Sequence, residues 1–252
     1  MTMLKLDSIV ICERALREGM IVDWMLTRGL ISSRFRYQNE VKNRNVLKIA
    51  HKYDVDLEYG ERVAKFALDI FDQLKENLHD WGGAEKELLW SAAILHNSGV
   101  YISHSSHHKH SYYLIRNAEL LGFTELELEL IANIARYHRK SKPKKKHQPY
   151  HDLPHKDYQL MVRQLSAILR VAVALDRRNK GAIARVKCNY DSKDRTLHFQ
   201  LYPVEVGDRC SLELWNLSYK KEVFEEEFGV ELVATVEENK RSANALHETS
   251  VR

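Results

Sequence analysis

Residues 88–115, LLWSAAILHNSGVYISHSSHHKHSYYLI, contain the pattern that decides the fold. They open inside an almost entirely apolar segment, 84–95, which predicts a helix in the middle of a helical domain. The helix ends at His96-Asn97, and four more histidines fall within the seven residues 104–110: His104, His107, His108 and His110. Imidazole is the commonest metal ligand in proteins. The run is therefore either a metal site or a set of solvent-facing loop histidines.

Helical periodicity continues on both sides of this stretch. Asp56 is the predicted N-cap of a helix whose apolar stripe extends to Leu74. Thr124 is the predicted N-cap of the helix over 125–138, which has Glu127 in its first turn. Lysine and proline in residues 140–155 predict a loop. The other helices are predicted at 12–30, 40–53, 108–121, 125–138 and 157–176. Together they predict a helical domain over residues 12–180.

The hydrophobic period changes after Gly181. Residues 185–190, 197–202 and 211–217 alternate in the manner of strands, a helix is predicted over 219–228, and a last strand over 230–236. This pattern predicts a small α/β domain of βββαβ order over residues 184–237. The polar tail 238–252 is predicted to be disordered. The fold class predicted is therefore mostly α, with a multi-helix domain followed by a small α/β domain.

Overall composition limits the class of protein. The chain has 252 residues, a formal net charge of +4 and three cysteines without CxxC spacing. These features argue against a zinc cage or a disulfide framework and favour a reducing cytoplasm. No apolar run approaches the roughly 18–20 residues that cross a bilayer, and no secretory signal is visible at the N-terminus, so no membrane partner is expected.

Positive charge is concentrated in one stretch between two predicted helices. It carries seven cations and no acid: Arg136, Arg139, Lys140, Lys142, Lys144, Lys145 and Lys146. Further cations follow at Arg170, Arg177, Arg178, Lys180, Arg185 and Lys187. Such a block is either a solvated loop or a site for a polyanion. A nucleic-acid module would more often interleave stacking aromatic residues, of which this run has only Tyr137 and Tyr150.

Two polar residues stand at the ends of other apolar helices. His138 follows the segment IANIARY, and Asp176 ends the segment ILRVAVAL. Helix-end polar residues are often caps or surface residues. Three buried helices that deliver His96, His138 and Asp176 would nevertheless suit a pocket in a helical bundle.

Several motifs, in the right order, resemble one known family. LLWSAAILHNSG, ISHSSHHKHSYYLI, IANIARYHR and LRVAVALD are similar to the helices that carry the His and Asp positions of HD phosphohydrolases. ALREGM, RVAKFALDIFDQL and LELWNLSYKKEVFEEEFG narrow the likeness to the C-terminal region of the exopolyphosphatase/guanosine-pentaphosphate phosphatase (Ppx/GppA) family. The resemblance covers about residues 12–237.

The resemblance implies that catalysis belongs to two N-terminal actin-like lobes that use Mg²⁺, whose phosphate-binding glycine loops this sequence lacks. Within the HD-like part, Tyr59 stands at the first metal-binding histidine position and Asn97 at the dyad aspartate. Both are poorer ligands for a divalent ion. A vestigial HD pocket is expected at Tyr59, His96, Asn97, His110, His138 and Asp176. No tightly bound metal or other cofactor is expected, and the weak candidate metal ligands are His96, His110, His138 and Asp176.

The leading hypothesis is a non-catalytic, homodimeric region that binds polyphosphate or guanosine penta- or tetraphosphate for the catalytic lobes. Its expected polyanion-binding residues are the seven cations of 136–146 together with Arg177 and Arg178. One alternative is a metal-dependent HD phosphohydrolase acting on a nucleotide or phosphoester. Another is an interaction module that presents its helices to a second subunit and binds no ligand.

Overall fold

A computed structural model describes residues 34–237, of which 34–39 by their backbone alone, and five earlier positions: Met20, Ile21, Trp24, Met25 and Arg28. Apart from those five positions, the helix predicted over 12–30 lies outside the described residues. So does the tail predicted over 238–252. Nothing further is stated about either segment.

Helices make up most of the described chain. They are α1 (Arg34–Lys52), α2 (Leu57–Leu74), α3 (Gly83–Leu95), α4 (His107–Arg116), α5 (Glu125–Arg136), α6 (Gln148–His151), α7 (Lys156–Ala174) and α8 (Ser211–Phe228), with a 3₁₀ turn at Ser98–Tyr101. The strands are β1 (Ile183–Asp191), β2 (Thr196–Pro203) and β3 (Glu231–Val236). The predicted fold class, a helical domain with a small α/β domain, is confirmed. No helix among the described residues is both long and apolar enough to span a bilayer.

Helix α3 lies at the centre of the helical part, as its apolar sequence predicts. It packs against α1, α2, α5 and α7. Its residues from Leu88 to Leu95 are buried, apart from a partly exposed Trp90. A helix that is apolar on nearly every side can be stable only when neighbours cover it all round. The C-terminus of α3 therefore delivers His96 into the interior.

The predicted helix starts are confirmed by their caps. Asp56 accepts a hydrogen bond from the backbone N of Tyr59 at 3.0 Å. Thr124 accepts from the backbone N of Glu127 at 3.2 Å, and the Glu127 carboxylate accepts from the Thr124 backbone N at 2.7 Å. This reciprocal pair satisfies two amides that the first turn of a helix leaves unpaired.

Several predicted boundaries differ from the structure; α1, for example, begins at Arg34 rather than at residue 40. Helix α4 ends at Arg116 rather than at Leu121, because the Asn117 side chain donates to the carbonyl of Tyr113 at 2.8 Å and competes with a further turn. Within the predicted loop 140–155, the four residues of α6 form one helical turn that begins beside Pro149, whose fixed φ favours a helix start.

The prediction of a strand over residues 211–217 is wrong, because these residues form the first two turns of α8. The buried positions of α8 are Glu213, Leu217, Phe224 and Phe228, which recur at helical spacing. Leu212 and Trp215 are apolar but exposed. Leu212 and Leu214 alternate with Ser211 and Glu213, and this local alternation imitates a strand. The small domain therefore has the order ββαβ rather than βββαβ.

The sheet has the order β1-β2-β3, with β2 antiparallel to β1 and parallel to β3. Leu197, Phe199 and Leu201 of β2 are fully buried, and Phe199 packs against Phe224 of α8. Helix α8 crosses between the parallel strands and packs its other side on α7. This arrangement places one face of α8 above the ends of the central helices.

Candidate functional site

Three histidines meet where α3, α4 and α5 approach one another. His96 caps α3, His107 begins α4, and His138 follows α5. Their exposed fractions are 1%, 5% and 2%. The His138 ring lies 4.9 Å from that of His96 and 5.4 Å from that of His107, centroid to centroid. The ends of buried helices thus bring distant parts of the sequence together.

Hydrogen bonds define how these rings are oriented. The Nδ1 atoms of His96 and His138 lie 2.6 and 2.7 Å from the carbonyls of Ala93 and Ala135. A carbonyl only accepts, so each Nδ1 donates and each Nε2 keeps a lone pair. His107 Nε2 lies 3.3 Å from His138 Nε2 and is therefore the donor of that pair.

The histidine rings are neutral at physiological pH. Burial lowers the pKa of His96 and His107 to about 4, and lowers the pKa of His138 well below its ordinary value. Cations add to this effect, since Arg139 Nη1 lies 3.1 Å from His107 Nδ1. His96 Nε2 has no hydrogen-bond partner among the described residues. The pocket therefore offers a buried, uncharged acceptor.

The remaining positions of the expected HD pocket do not complete a metal site. The Asp176 carboxylate accepts from Arg62 Nε at 2.7 Å, and from the backbone N atoms of Lys180 and Gly181 at 3.2 and 3.0 Å. Both of its oxygens are thus occupied. Burial, and then the charge of Asp176, raise the pKa of Tyr59, so its hydroxyl stays protonated beside His96.

His110 and Asn97 flank this cluster. Asn97 follows His96 and begins the 3₁₀ turn, while His110 lies partly exposed on α4. Of the four histidines in 104–110, His107 and His108 are buried, and His107 is the one that contacts His138. Across residues 40–237, no three His, Cys, Asp or Glu side chains are arranged to hold a metal ion. The HD ligand set therefore does not fit a resident metal here.

Gly99 allows the start of α4 to pack against the turn after α3. A Cβ on Gly99 would lie 2.1 Å from the carbonyl oxygen of His107 and 2.3 Å from the backbone N of Ser111. Ser111 Oγ accepts from the Gly99 backbone N at 2.9 Å and donates to the His96 carbonyl at 2.7 Å. Sequence inspection gave Gly99 no role, although its position between two histidine groups is the visible signal.

The basic stretch divides into paired and free cations. The Arg136 guanidinium stacks over the rings of Tyr112 and Tyr137, and Lys142 forms an ion pair with Glu226 of α8. Lys144, Lys145 and Lys146 are exposed, with no ion pair among the described residues. These three lysines are the part of the stretch most available to a polyanion.

Of the two arginines after α7, Arg178 is paired with carboxylates and Arg177 is exposed to solvent. Arg178 donates to Asp208 at 2.7 Å and to the buried carboxylate of Glu213 at 3.1 Å, which ties the end of α7 to the start of α8. Arg177 is exposed. The structure thus gives Arg178 two carboxylate partners and leaves Arg177 facing solvent.

Lys220 of α8 is a charged residue that sequence reasoning missed. Burial lowers its pKa to about 8, and the next contributions come from a set of neighbouring cations, Arg170, Arg139, Arg177 and Lys140. The charge of Lys220 also lowers the pKa of His96 and His138, so its ammonium lies near those rings. The sequence does predict the helix over 219–228 that carries Lys220, but its periodicity does not show which distant cations act on this residue.

Comparison with known proteins places this arrangement in a family. Residues 41–221 match the family model described as Ppx/GppA phosphatase, domain III. The chain is also 29% identical over 177 residues to the guanosine-5'-triphosphate,3'-diphosphate pyrophosphatase of Pseudoalteromonas atlantica. That match covers 70% of this chain and 33% of the relative, so the chain spans about a third of the length of the curated relative it matches.

Proposed function

Since the chain belongs to the Ppx/GppA phosphatase family, we propose that it is a phosphate-chain-binding region without a catalytic centre of its own. One observation carries the proposal: Lys144, Lys145 and Lys146, in the basic stretch that follows His138, are exposed and have no ion pair among the described residues. Among the residues that the structure describes, no three ligands converge in the way that a metal-activated water needs.

The ligand class follows from the charge and from the family. Lysine and arginine bind phosphate chains through charge with little demand on sequence, and each neutralised phosphate releases counterions. The relative's name specifies a guanosine triphosphate-diphosphate. The proposed ligands are therefore polyphosphate and guanosine penta- or tetraphosphate.

The rest of the proposal concerns the intact protein. N-terminal actin-like lobes with Mg²⁺ would perform hydrolysis, and the region would work as a homodimer in the cytoplasm. Leu212, Trp215 and Tyr219 form an exposed apolar stripe on α8, which supports a surface for a second subunit. Analytical ultracentrifugation measures the dimer directly.

Polyphosphate binding is tested on the three free lysines. Changing Lys144, Lys145 and Lys146 to Ala should leave folding intact and weaken binding of a fluorescent polyphosphate, by about 1 kcal/mol or less per exposed contact. Affinity should fall steeply between about 50 and 200 mM salt, with a shallower slope in the variant. Fluorescence polarisation measures both effects.

A matched control comes from Lys48 of α1 and Lys193 of the β1–β2 turn, which are exposed and are changed to Ala together. This variant should bind polyphosphate as the wild type does. Equal affinity of the wild type and the 144–146 variant at every salt concentration would contradict the proposed function.

A second candidate function, a metal-dependent phosphohydrolase, is favoured by the unpartnered Nε2 of the buried His96. We expect it to fail because Lys220 places positive charge near both His96 and His138, which repels a divalent ion. Elemental analysis of the purified chain should find well below one metal ion per molecule. A stoichiometric ion that survives dialysis would favour the enzyme instead.

A further inference from the structure

Strand β3 forms one edge of the sheet, because the strand order is β1-β2-β3. Its odd-numbered residues bond to β2. At one end the Glu231 backbone N donates to the carbonyl of Arg195 at 2.9 Å, and beyond the other end the Glu237 backbone N donates to the carbonyl of Leu201 at 2.8 Å. Since successive residues of a strand point their N–H and C=O groups to opposite sides, the even-numbered residues of β3 present theirs to the free side.

Helix α8 covers only the first of these outward-facing residues. Glu225 accepts from the Leu232 backbone N at 2.8 Å, and Lys221 donates to the Leu232 carbonyl at 2.7 Å. Among the described residues, the outward N–H and C=O groups of Ala234 and Val236 have no hydrogen-bond partner. The second half of β3 is therefore an open edge.

This open edge has none of the features with which proteins usually block the addition of another strand. Residues 232–236 contain no proline and no charged side chain, and Val233, Thr235 and Val236 are β-branched. Thr235 is exposed, on the face of the sheet opposite α8. An unprotected edge of this kind is a template for pairing with a further strand.

The shortness of the open edge favours a strand that is already folded. Ala234 and Val236 together offer only four backbone hydrogen bonds. For a flexible peptide, ordering each residue costs about as much free energy as one hydrogen bond returns, so little net binding would remain. The β3 strand of a second copy is ordered before it binds and presents the same donors and acceptors.

We propose that β3 pairs antiparallel with β3 of a second copy of this chain, so that the two sheets join into one continuous sheet. A twofold axis at Thr235 places Ala234 opposite the partner's Val236, and Val236 opposite the partner's Ala234, which uses every open group. An axis at Ala234 would instead place Val236 opposite the partner's Leu232, whose backbone groups α8 already occupies.

Side chains are compatible with this register. Thr235 lies opposite the partner's Thr235, and directly opposed threonines stabilise a strand pair. Glu237 lies opposite the partner's Val233, so no like charges face each other. The inference names the contact within the homodimer, and in that respect it rests on the proposed function.

Cysteine cross-linking tests the register. The two Thr235 positions form a non-hydrogen-bonded pair, with Cα atoms about 4.5 Å apart, which is within the range of a disulfide. Thr235→Cys should therefore form a covalent dimer on mild oxidation with diamide, seen on a non-reducing gel.

Glu231→Cys is the matched control for cross-linking. Glu231 is exposed on the same face of the same strand, but in this register it lies about 27 Å from its copy. Glu231→Cys should cross-link no more than the wild type, which carries the native cysteines. Equal cross-linking of Thr235→Cys and Glu231→Cys would overturn the proposal.

Thr235→Lys tests the contact without a covalent bond. Because Thr235 is exposed, the variant should keep the wild-type circular dichroism spectrum. Two ammonium groups would face each other at the axis, which should raise the dissociation constant of the dimer about fivefold or more in analytical ultracentrifugation. Glu231→Lys should dimerise as the wild type does.

The remaining outcomes distinguish this contact from the proposed function. A wild type that stays monomeric at every concentration would overturn both the β3 contact and the homodimer. A dimer that Thr235→Lys does not weaken and Thr235→Cys does not cross-link is held by another surface, such as the apolar stripe on α8, and would overturn the β3 contact alone. Polyphosphate binding by the 144–146 lysines is measured separately.

Discussion

Asp176, which the resemblance to HD enzymes suggested as a weak metal ligand, has protein groups as its partners. In an HD enzyme its carboxylate would hold a metal. Here one oxygen accepts from Arg62, and the other accepts from two backbone amides that close the turn after α7. With 1% of its surface exposed, it is a buried anion whose charge is balanced by protein groups rather than by a metal ion.

We therefore predict a structural role for Asp176. Asp176→Ala removes the buried carboxylate that pairs with Arg62 Nε and accepts from the amides of Lys180 and Gly181. It should lower the free energy of unfolding by about 3 kcal/mol, as the removal of one partner from a buried ion pair does. Urea denaturation followed by circular dichroism measures the change.

The control variant for Asp176→Ala removes the other carboxylate that pairs with Arg62. Glu58 pairs with Arg62 at 2.8 Å, but its side chain is 88% exposed. Glu58→Ala should therefore cost far less, since exposed ion pairs contribute little. Similar losses of unfolding free energy in the two variants would show that the buried Asp176 carboxylate stabilises the fold no more than an exposed ion pair does.

At the scale of elements, the junction between α3 and α4 determines where the histidines meet. The 3₁₀ turn carries the chain from His96 to His107, and the start of α4 lies directly against Gly99. Only a residue without Cβ allows this contact. The approach of His107 to His138 thus depends on one glycine outside the cluster.

Gly99→Ala should disturb this junction. The added methyl group would meet two backbone atoms at under 3 Å, and backbone cannot move aside as a flexible side chain can. We expect a loss of about 2 kcal/mol or more in the free energy of unfolding, at the upper range for overpacking. Thermal and urea denaturation report it.

Gly83 provides the matched control position for Gly99. A Cβ there would meet nothing within 4 Å, and the residue begins α3. Gly83→Ala should be neutral or stabilising, because alanine has the higher helix propensity and reduces the entropy of the unfolded chain. Equal effects of the two substitutions would refute a packing role for Gly99.

At the scale of the whole molecule, the helical part and the sheet share one hydrophobic core. Gln73 of α2 accepts from the backbone N of Cys188 and donates to the carbonyl of Val186 in β1, at 2.8 and 3.2 Å. Arg178 joins α7 to the start of α8. These contacts hold α8 in place above the helix ends, and with it Lys220. The position of α8 is therefore a property of both parts together.

The chain alone should not hydrolyse polyphosphate. Described residues offer no three-ligand metal site, and the histidines are neutral and buried. Phosphate release from long-chain polyphosphate with Mg²⁺ present should stay far below about 1 s⁻¹, an ordinary enzymatic rate. A full-length family member assayed in parallel is the positive control. Turnover near the control's rate would place an active site on this chain.

The sequence alone determined the helices, most strands and the family. These depend on local periodicity and on caps such as Asp56 and Thr124, which neighbouring residues specify without help from distant ones. The exceptions were α6, which lies in a predicted loop, and residues 211–217, where Leu212 and Leu214 alternate with polar residues and imitated a strand. The periodicity of exposed residues carries no information about the core, and only packing on α7 reveals which face is buried.

Tertiary structure alone decided which charged and polar residues act together. The resemblance to HD phosphohydrolases pointed to His110, whereas the direction of α4 brings His107 to His138. Three charged residues pair with residues that are distant in the sequence: Asp176 at 114 residues, Arg178 at 35 and Lys142 at 84. Their charges are therefore compensated within the protein. Lys220 faces cations from two other segments. The sequence specifies the charge of each side chain. The partners and the solvation of that side chain depend on distant residues, which only the folded chain brings into contact.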